Sequence, residues 1–212
     1  LTVISLAIGD ERRDVLGVSF IQFLAPGLIA MQIIQQSFSH SSSTLLMGKV
    51  MGNIVDLIGA PLSAAEVTLS IIFASITRGI FISVFSIIVF SIMVDIEIKN
   101  YLILMVYLFL NGFLMGAAGF IAGQFSDKFE HLAGITNFII VPLSFLSGTF
   151  YEIDRLPEPL GFISFYNPFF HMIDGFRYAF IGNLDGSLSF GITYLLILST
   201  IVWFISFVLY KK

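Results

Sequence analysis

The sequence contains no cysteine, which excludes disulfides and thiolate metal sites. Charge is nearly as scarce. Asp, Glu, Lys and Arg together make up 11% of the residues, against about 25% in soluble domains. A chain so poor in charge cannot cover a water-facing surface, and it reads as an integral membrane protein. The net charge of −4 and the lack of any basic run argue against nucleic acid as a partner. Strict alternation of apolar and polar residues, the mark of a membrane strand, is nowhere sustained. No HExxH or GxSxG occurs. Gly48-Lys49 is preceded by Ser at position 43 and followed by Val50, so no phosphate-binding loop is present. The chain is therefore not expected to hydrolyse ATP itself.

What is present is apolar: 57% of the residues are hydrophobic, and the mean hydropathy is +0.97. A spanning helix needs about 20 such residues. Runs of that kind cover residues 17–39, with Pro26-Gly27 as a kink, then 67–94, 101–123, 132–151 with Pro142 inside it, and 188–210. Leu1 to Gly9 is apolar, follows no basic segment and does not read as a signal peptide. It reads as the end of a truncated first span. The expectation is an all-α polytopic membrane bundle of five complete spans plus that remnant, in one domain over residues 1–212.

Orientation is not decided by charge. With the C-terminus inside, Lys49, Arg78, Lys128, Lys211 and Lys212 fall inside, and Arg12, Arg13, Lys99, Arg155 and Arg177 fall outside. The positive-inside rule gives equal weight to both directions.

Three features within the spans and their connectors stand out. Between the first two spans, Lys49, Gly52, Asn53 and Asp56 recur at helical spacing, opposite Leu46, Val50, Ile54, Leu57 and Ile58. This predicts a short amphipathic helix in the interface, either a docking helix for a soluble partner or a plain connector. In the third span, Gly112, Gly116, Gly119 and Gly123 form one stripe containing two GxxxG units, the pattern that brings helix backbones together in membranes. Arg78 stands within the 67–94 run. An intramembrane charge is a functional candidate. A helix of that length, about 42 Å, also allows Arg78 to snorkel to the inner headgroups.

The stretch from Glu152 to Ser187 is too polar and too rich in proline to span. Its second half is aromatic, which fits a segment that enters the membrane and returns, shielded by protein. Asn167 and Pro168 form a helix start, Asn as the cap and Pro at the first helical position. His171 and Asp174 are three apart, as are Asp174 and Arg177. The other histidines, His40 and His131, lie on different segments, and no metal-ligand set assembles.

The stretches "FLAPGLIAMQIIQQSF", "GNIVDLIGAPLSAAEV" and "VPLSFLSGTFYEIDRLPEPLGFISFYNPFFHMIDGFRYAFIG", in that order, resemble the membrane subunit of ABC-2 type transporters, in the bacterial drug and polysaccharide export branch. The resemblance implies six spans, a homodimer of permeases in the bacterial inner membrane, and a separately encoded ATPase that binds ATP and Mg. No cofactor is then expected in this chain. It further implies that Lys49, Asn53 and Asp56 lie on the coupling helix that receives the ATPase stroke. Asn167, Pro168, His171, Asp174 and Arg177 would then belong to an extracellular corner, and the C-terminus would be cytoplasmic. The substrate would be a drug, a lipid or a glycan-type molecule. Two other readings stand beside it. An intramembrane lipid-modifying enzyme would use His171 and Asp174. A proton-driven transporter would need carboxylates in mid-span, and the spans hold none.

Overall fold

The computed structural model describes residues 16–94, 96–151, 161 and 164–211, with the backbone but not the side chains of 56–58. The apolar remnant at Leu1 to Gly9 and the segment from Glu152 to Leu160 lie outside the described residues. Within them the chain is a helical bundle: α1 Phe20–Met51, α2 Ile54–Gly59, α3 Ala64–Met93, α4 Tyr101–Phe125, α5 Phe129–Ile135, α6 Val141–Phe145, α7 Pro168–Ile181 and α8 Leu188–Lys211. Three of these, α3, α4 and α8, are long and apolar enough to cross a membrane.

The helices begin where local chemistry supplies caps. Ser19 and Gln22 form a capping box at the start of α1, and Ser63 and Glu66 form another at α3. The Asn100 side chain accepts from the Ile103 N–H at 3.1 Å to start α4. Helix α1 has 32 residues and runs twelve positions past the end expected at Ser39. Nothing in "HSSSTLLMGK" breaks it, and two of its hydroxyls bond back to the preceding turn. Ser42 donates to the Phe38 carbonyl at 2.8 Å, and Thr44 to the His40 carbonyl at 2.7 Å. The helix stops at Gly52, which has φ of +79°, a conformation that glycine adopts without steric cost.

The stretch 129–145 is the shorter apolar one, and it is not a uniform helix. Residues Thr136–Ile140 form a π-helical turn between α5 and α6. Pro142 explains it: proline has no N–H to donate, and its ring clashes with the carbonyl four residues back. Widening the turn before it relieves that clash.

Helix α1 is central, packed against α3, α4 and α7, and α8 lies on α4. That position explains its mixed composition, since many of its serines face protein rather than lipid. The glycine stripe of α4 is the surface that α1 and α3 approach. A Cβ on Gly112 would sit 3.1 Å from the Ile76 Cα, and one on Gly116 would sit 2.2 Å from the Ser75 hydroxyl. On Gly119 and Gly123 it would meet the Phe38 carbonyl at 2.4 Å and the Ser42 carbonyl at 2.7 Å.

Backbone oxygens cannot move aside as a side chain can. Gly119→Ala is therefore expected to destabilise by about 1–3 kcal/mol through overpacking, lowering the apparent melting temperature in detergent by several degrees. Gly134→Ala is the control, because a Cβ there meets nothing within 4 Å. Equal melting of the two variants would show that the helices do not approach this closely.

Candidate functional site

The polar cluster of α7 lies at the end of the bundle where α1 starts. Asn167 builds its entry. Its Oδ1 accepts from the Phe169 N–H at 3.1 Å. Its Nδ2 donates to the Leu143 carbonyl at 3.0 Å and the Ser147 hydroxyl at 2.9 Å. Pro168 follows as the first helical residue. Asn167 thus ties the start of α7 to the end of α6.

Arg177 is buried, 1% exposed. Its Nη2 donates to the Gly148 carbonyl at 2.9 Å and to the Thr149 carbonyl at 3.3 Å. The guanidinium lies over the Phe23 ring of α1, 3.7 Å from its centroid, a cation–π geometry. Gly27 leaves the room: a Cβ there would stand 2.8 Å from Nη2. Burial pulls Arg177 down to about 10, opposed by Asp174 and Asp185. It therefore stays charged at neutral pH.

Asp174 does not bond to Arg177 as the three-residue spacing suggested. Its two oxygens accept from the backbone N–H groups of Asp185 at 3.1 Å and Gly186 at 3.0 Å, organising the turn between α7 and α8. Burial raises its carboxyl, against those N–H groups and the nearby Arg177 charge. His171 has a third set of neighbours. Its Nε2–H donates to the Phe165 carbonyl at 2.8 Å. Phe165, Phe170, Phe190 and Tyr194 surround the ring, with centroids 4.9–5.4 Å away. Burial holds it below 6.5, although the Phe165 carbonyl works the other way. His171 and Asp174 therefore stand in separate environments, each bonded to backbone, and not as an acid–base pair.

Further contacts that the sequence did not indicate seat α7. Asn111 of α4 donates to the Met172 carbonyl at 3.1 Å. A Cβ on Gly175 would overlap the Tyr107 ring at 1.9 Å, so glycine there lets the ring pass against the helix backbone. The Lys99 ammonium donates to the Ile181 carbonyl at the end of α7.

The opposite end of the bundle carries the other predicted site, and one expectation is corrected there. Lys49, Gly52, Asn53 and Asp56 are not one face of one helix. Lys49 belongs to the last turn of α1, Gly52 breaks the chain, and α2 begins at Ile54. The Lys49 ammonium donates to the Gln124 carbonyl, and to the Ser126 carbonyl at 3.2 Å. It neutralises the negative end of α4. Asn53 is exposed. The Asp56 side chain lies outside the described residues. Around them Met51 and Val55 are 63% and 69% exposed.

Arg78 lies against α1. Its neighbours Ile76 and Ser75 face Gly112 and Gly116 of α4, so it stands well inside the bundle's length. Its Nη1 meets His40 Nδ1 at 3.2 Å and its Nη2 meets Gln36 Oε1 at 3.2 Å. Both partners lie in the middle of α1.

The sequence profile of the family described as ABC-2 type transporter matches residues 2–181. The inner membrane transport permease YadH of Escherichia coli strain K12 is 30% identical over 178 residues, 84% of this chain and 70% of that protein. The permease of the same name from Shigella flexneri matches to the same extent.

Two outcomes follow from the α7 geometry. Arg177→Lys keeps the charge but not the planar fork that reaches two carbonyls and lies on Phe23. It is expected to cost about 1–3 kcal/mol, the penalty for unsatisfied buried groups, read as a lower apparent melting temperature. An unchanged value would show that the fork is dispensable. His171, neutral in the fold, supports stability above pH 6.5. That support is lost as pH falls below 6.5, where the unfolded chain takes up the proton. Melting of the wild type should drop between about pH 7 and pH 5.5 more steeply than that of His171→Gln. Parallel slopes would refute the assignment.

Proposed function

The chain belongs to the ABC-2 type transporter family and is a multi-pass membrane permease, and from this we propose that it forms the export pathway of an ATP-driven exporter in the bacterial inner membrane. A separately encoded ATPase, binding ATP and Mg, supplies the energy, and two permeases pair around the pathway. The cargo class is a drug, a lipid or a glycan-type molecule. The assignment to the inner membrane draws on the printed name of the permease from Escherichia coli.

The observation that carries the coupling to an ATPase is α2. It is six residues long, between Gly52, which ends α1, and Pro61 before α3. It lies at the end of the bundle where α4 also finishes, as the Lys49 bonds to Gln124 and Ser126 show. A short helix set off by Gly52 and Pro61 at that end, with Val55 exposed on it and Met51 exposed before it, suits a docking knob for a soluble partner. The α7 cluster supports a structural role for His171, Asp174 and Arg177, because each side chain is occupied with backbone groups from another segment.

Asp56→Lys tests the reading. A like-charge juxtaposition at a partner interface costs several kcal/mol, so the variant should insert and melt normally. It should lose co-purification with the ATPase, or about tenfold or more of the hydrolysis that the permease stimulates. Glu97→Lys, exposed at the opposite end of the bundle, should leave both intact. Normal coupling in Asp56→Lys together with loss in Glu97→Lys would place the ATPase at the α7 end.

A further inference from the structure

We infer that Arg78, His40 and Gln36 form a binding site for the oxyanion head of an amphipathic cargo whose apolar body lies in the adjacent groove between α1 and α3. This rests on the exporter reading above and names the chemistry of what is exported.

The first observation is an unbalanced charge. Arg78 is exposed on the flank of α3. It is fourteen residues from Ala64 and fifteen from Met93, about 21 Å from either end. Its two partners are neutral. Arginine only donates, so Nδ1 of His40 must be the acceptor at 3.2 Å, and the imidazole keeps its proton on Nε2. Gln36 accepts through Oε1 at 3.2 Å. No carboxylate stands beside Arg78 among the described residues. A cation inside a membrane calls for a counter-charge, and such residues line substrate pathways. The two neutral partners hold the guanidinium on α1 without cancelling it. They leave it free to meet an oxyanion, the bidentate geometry in which arginine excels.

The second observation is a groove along the same two helices. A cavity of about 380 Å³ is lined by Leu28, Met31, Phe85, Val89 and Phe90, with three polar side chains among them. Its α3 residues lie seven to twelve positions beyond Arg78, about 10–18 Å along the helix. A charged head at Arg78 and an apolar body in the groove therefore define one amphiphile lying along the bundle. A free inorganic anion would use only half of this surface, and an uncharged drug only the other half.

The test uses the permease–ATPase complex in phosphatidylcholine nanodiscs, with dodecyl phosphate as the probe and binding measured by titration without nucleotide. Wild type should bind it. Arg78→Gln should weaken binding by about tenfold or more, the loss of a charge-assisted pair, and Arg78→Lys should retain part of it. Phe85→Ala should weaken dodecyl phosphate, and binding of an uncharged dodecyl maltoside control should not depend on Arg78. Equal affinities in wild type and a folded Arg78→Gln would overturn the inference. So would full competition by inorganic phosphate, which would indicate a simple anion site. Displacement by phosphatidylglycerol added to the nanodisc would overturn it in favour of a bound bilayer lipid. A change in oligomeric state by light scattering in Arg78→Gln, with binding kept, would overturn it in favour of an interface between two copies. In each of these cases ATPase co-purification still stands as the separate test of the exporter reading, whose failure would appear as loss of the partner and not as loss of the probe.

Discussion

The guanidinium of Arg177 sits where three parts of the chain need one another. The helical stretch that begins at Phe129 ends at Phe145, and the carbonyls of the turn just beyond it have no helical donors. In an apolar surrounding such groups must find donors within the protein. Arg177 supplies them to Gly148 and Thr149, and in turn lies on Phe23 of α1. A buried charge with no satisfied partners would be prohibitive. Here the charge and the orphaned carbonyls meet each other's requirement. The position of α7 follows. Held by Arg177 on one side and by Tyr107 and Asn111 of α4 on the other, it closes one end of the bundle without crossing it.

The remaining polar groups of α7 extend that arrangement in sequence order. Asn167 fixes where α7 starts relative to α6, and Asp174 fixes how the chain turns into α8. His171 fills an aromatic enclosure made partly by α8 itself. The cluster is therefore polar because the chain reverses direction there, where backbone groups are released in an environment without water.

Local signals were the legible part of this molecule. The scarcity of charge places the chain in a membrane, and the Asn-Pro pair marks a true helix start. The end of the first long helix was misplaced, because a run of serines and His40 looks like a loop by polarity. The Ser42 and Thr44 hydroxyls bond to their own helix, and α1 continues to Met51. The amphipathic face drawn through Lys49 failed for the opposite reason. Helical spacing was counted across Gly52, where the backbone leaves the helix. Lys49 turned out to be turned inward to α4. The contacts of the α7 cluster were not legible, because its partners are distant in sequence. Gly148 lies 29 positions from Arg177, and neither Phe23 nor Gly27 carries a local signal. The spacing His171, Asp174, Arg177 invited a chain of neighbours, whereas each residue reaches a different segment.

The features at both ends of the bundle and the one between them share a single element. Helix α1 receives Arg177 against Phe23 near its start, holds Arg78 through Gln36 and His40 in its middle, and ends at Gly52 beside α2. Its sides are locked on α4 at Gly119 and Gly123, where backbone touches backbone. Packing that close transmits displacement, because interfaces of this kind do not deform gradually. Gly52 is the opposite kind of joint, with φ of +79° and open space around it. A push on α2 therefore meets compliance at Gly52 and stiffness beyond it. Its effect on the rest of the bundle depends on whether α1 moves with α4 as one body. The small residues of α4 make that the favoured outcome, since sliding α1 along the stripe would drive the Phe38 and Ser42 carbonyls away from Gly119 and Gly123 towards residues that carry a Cβ.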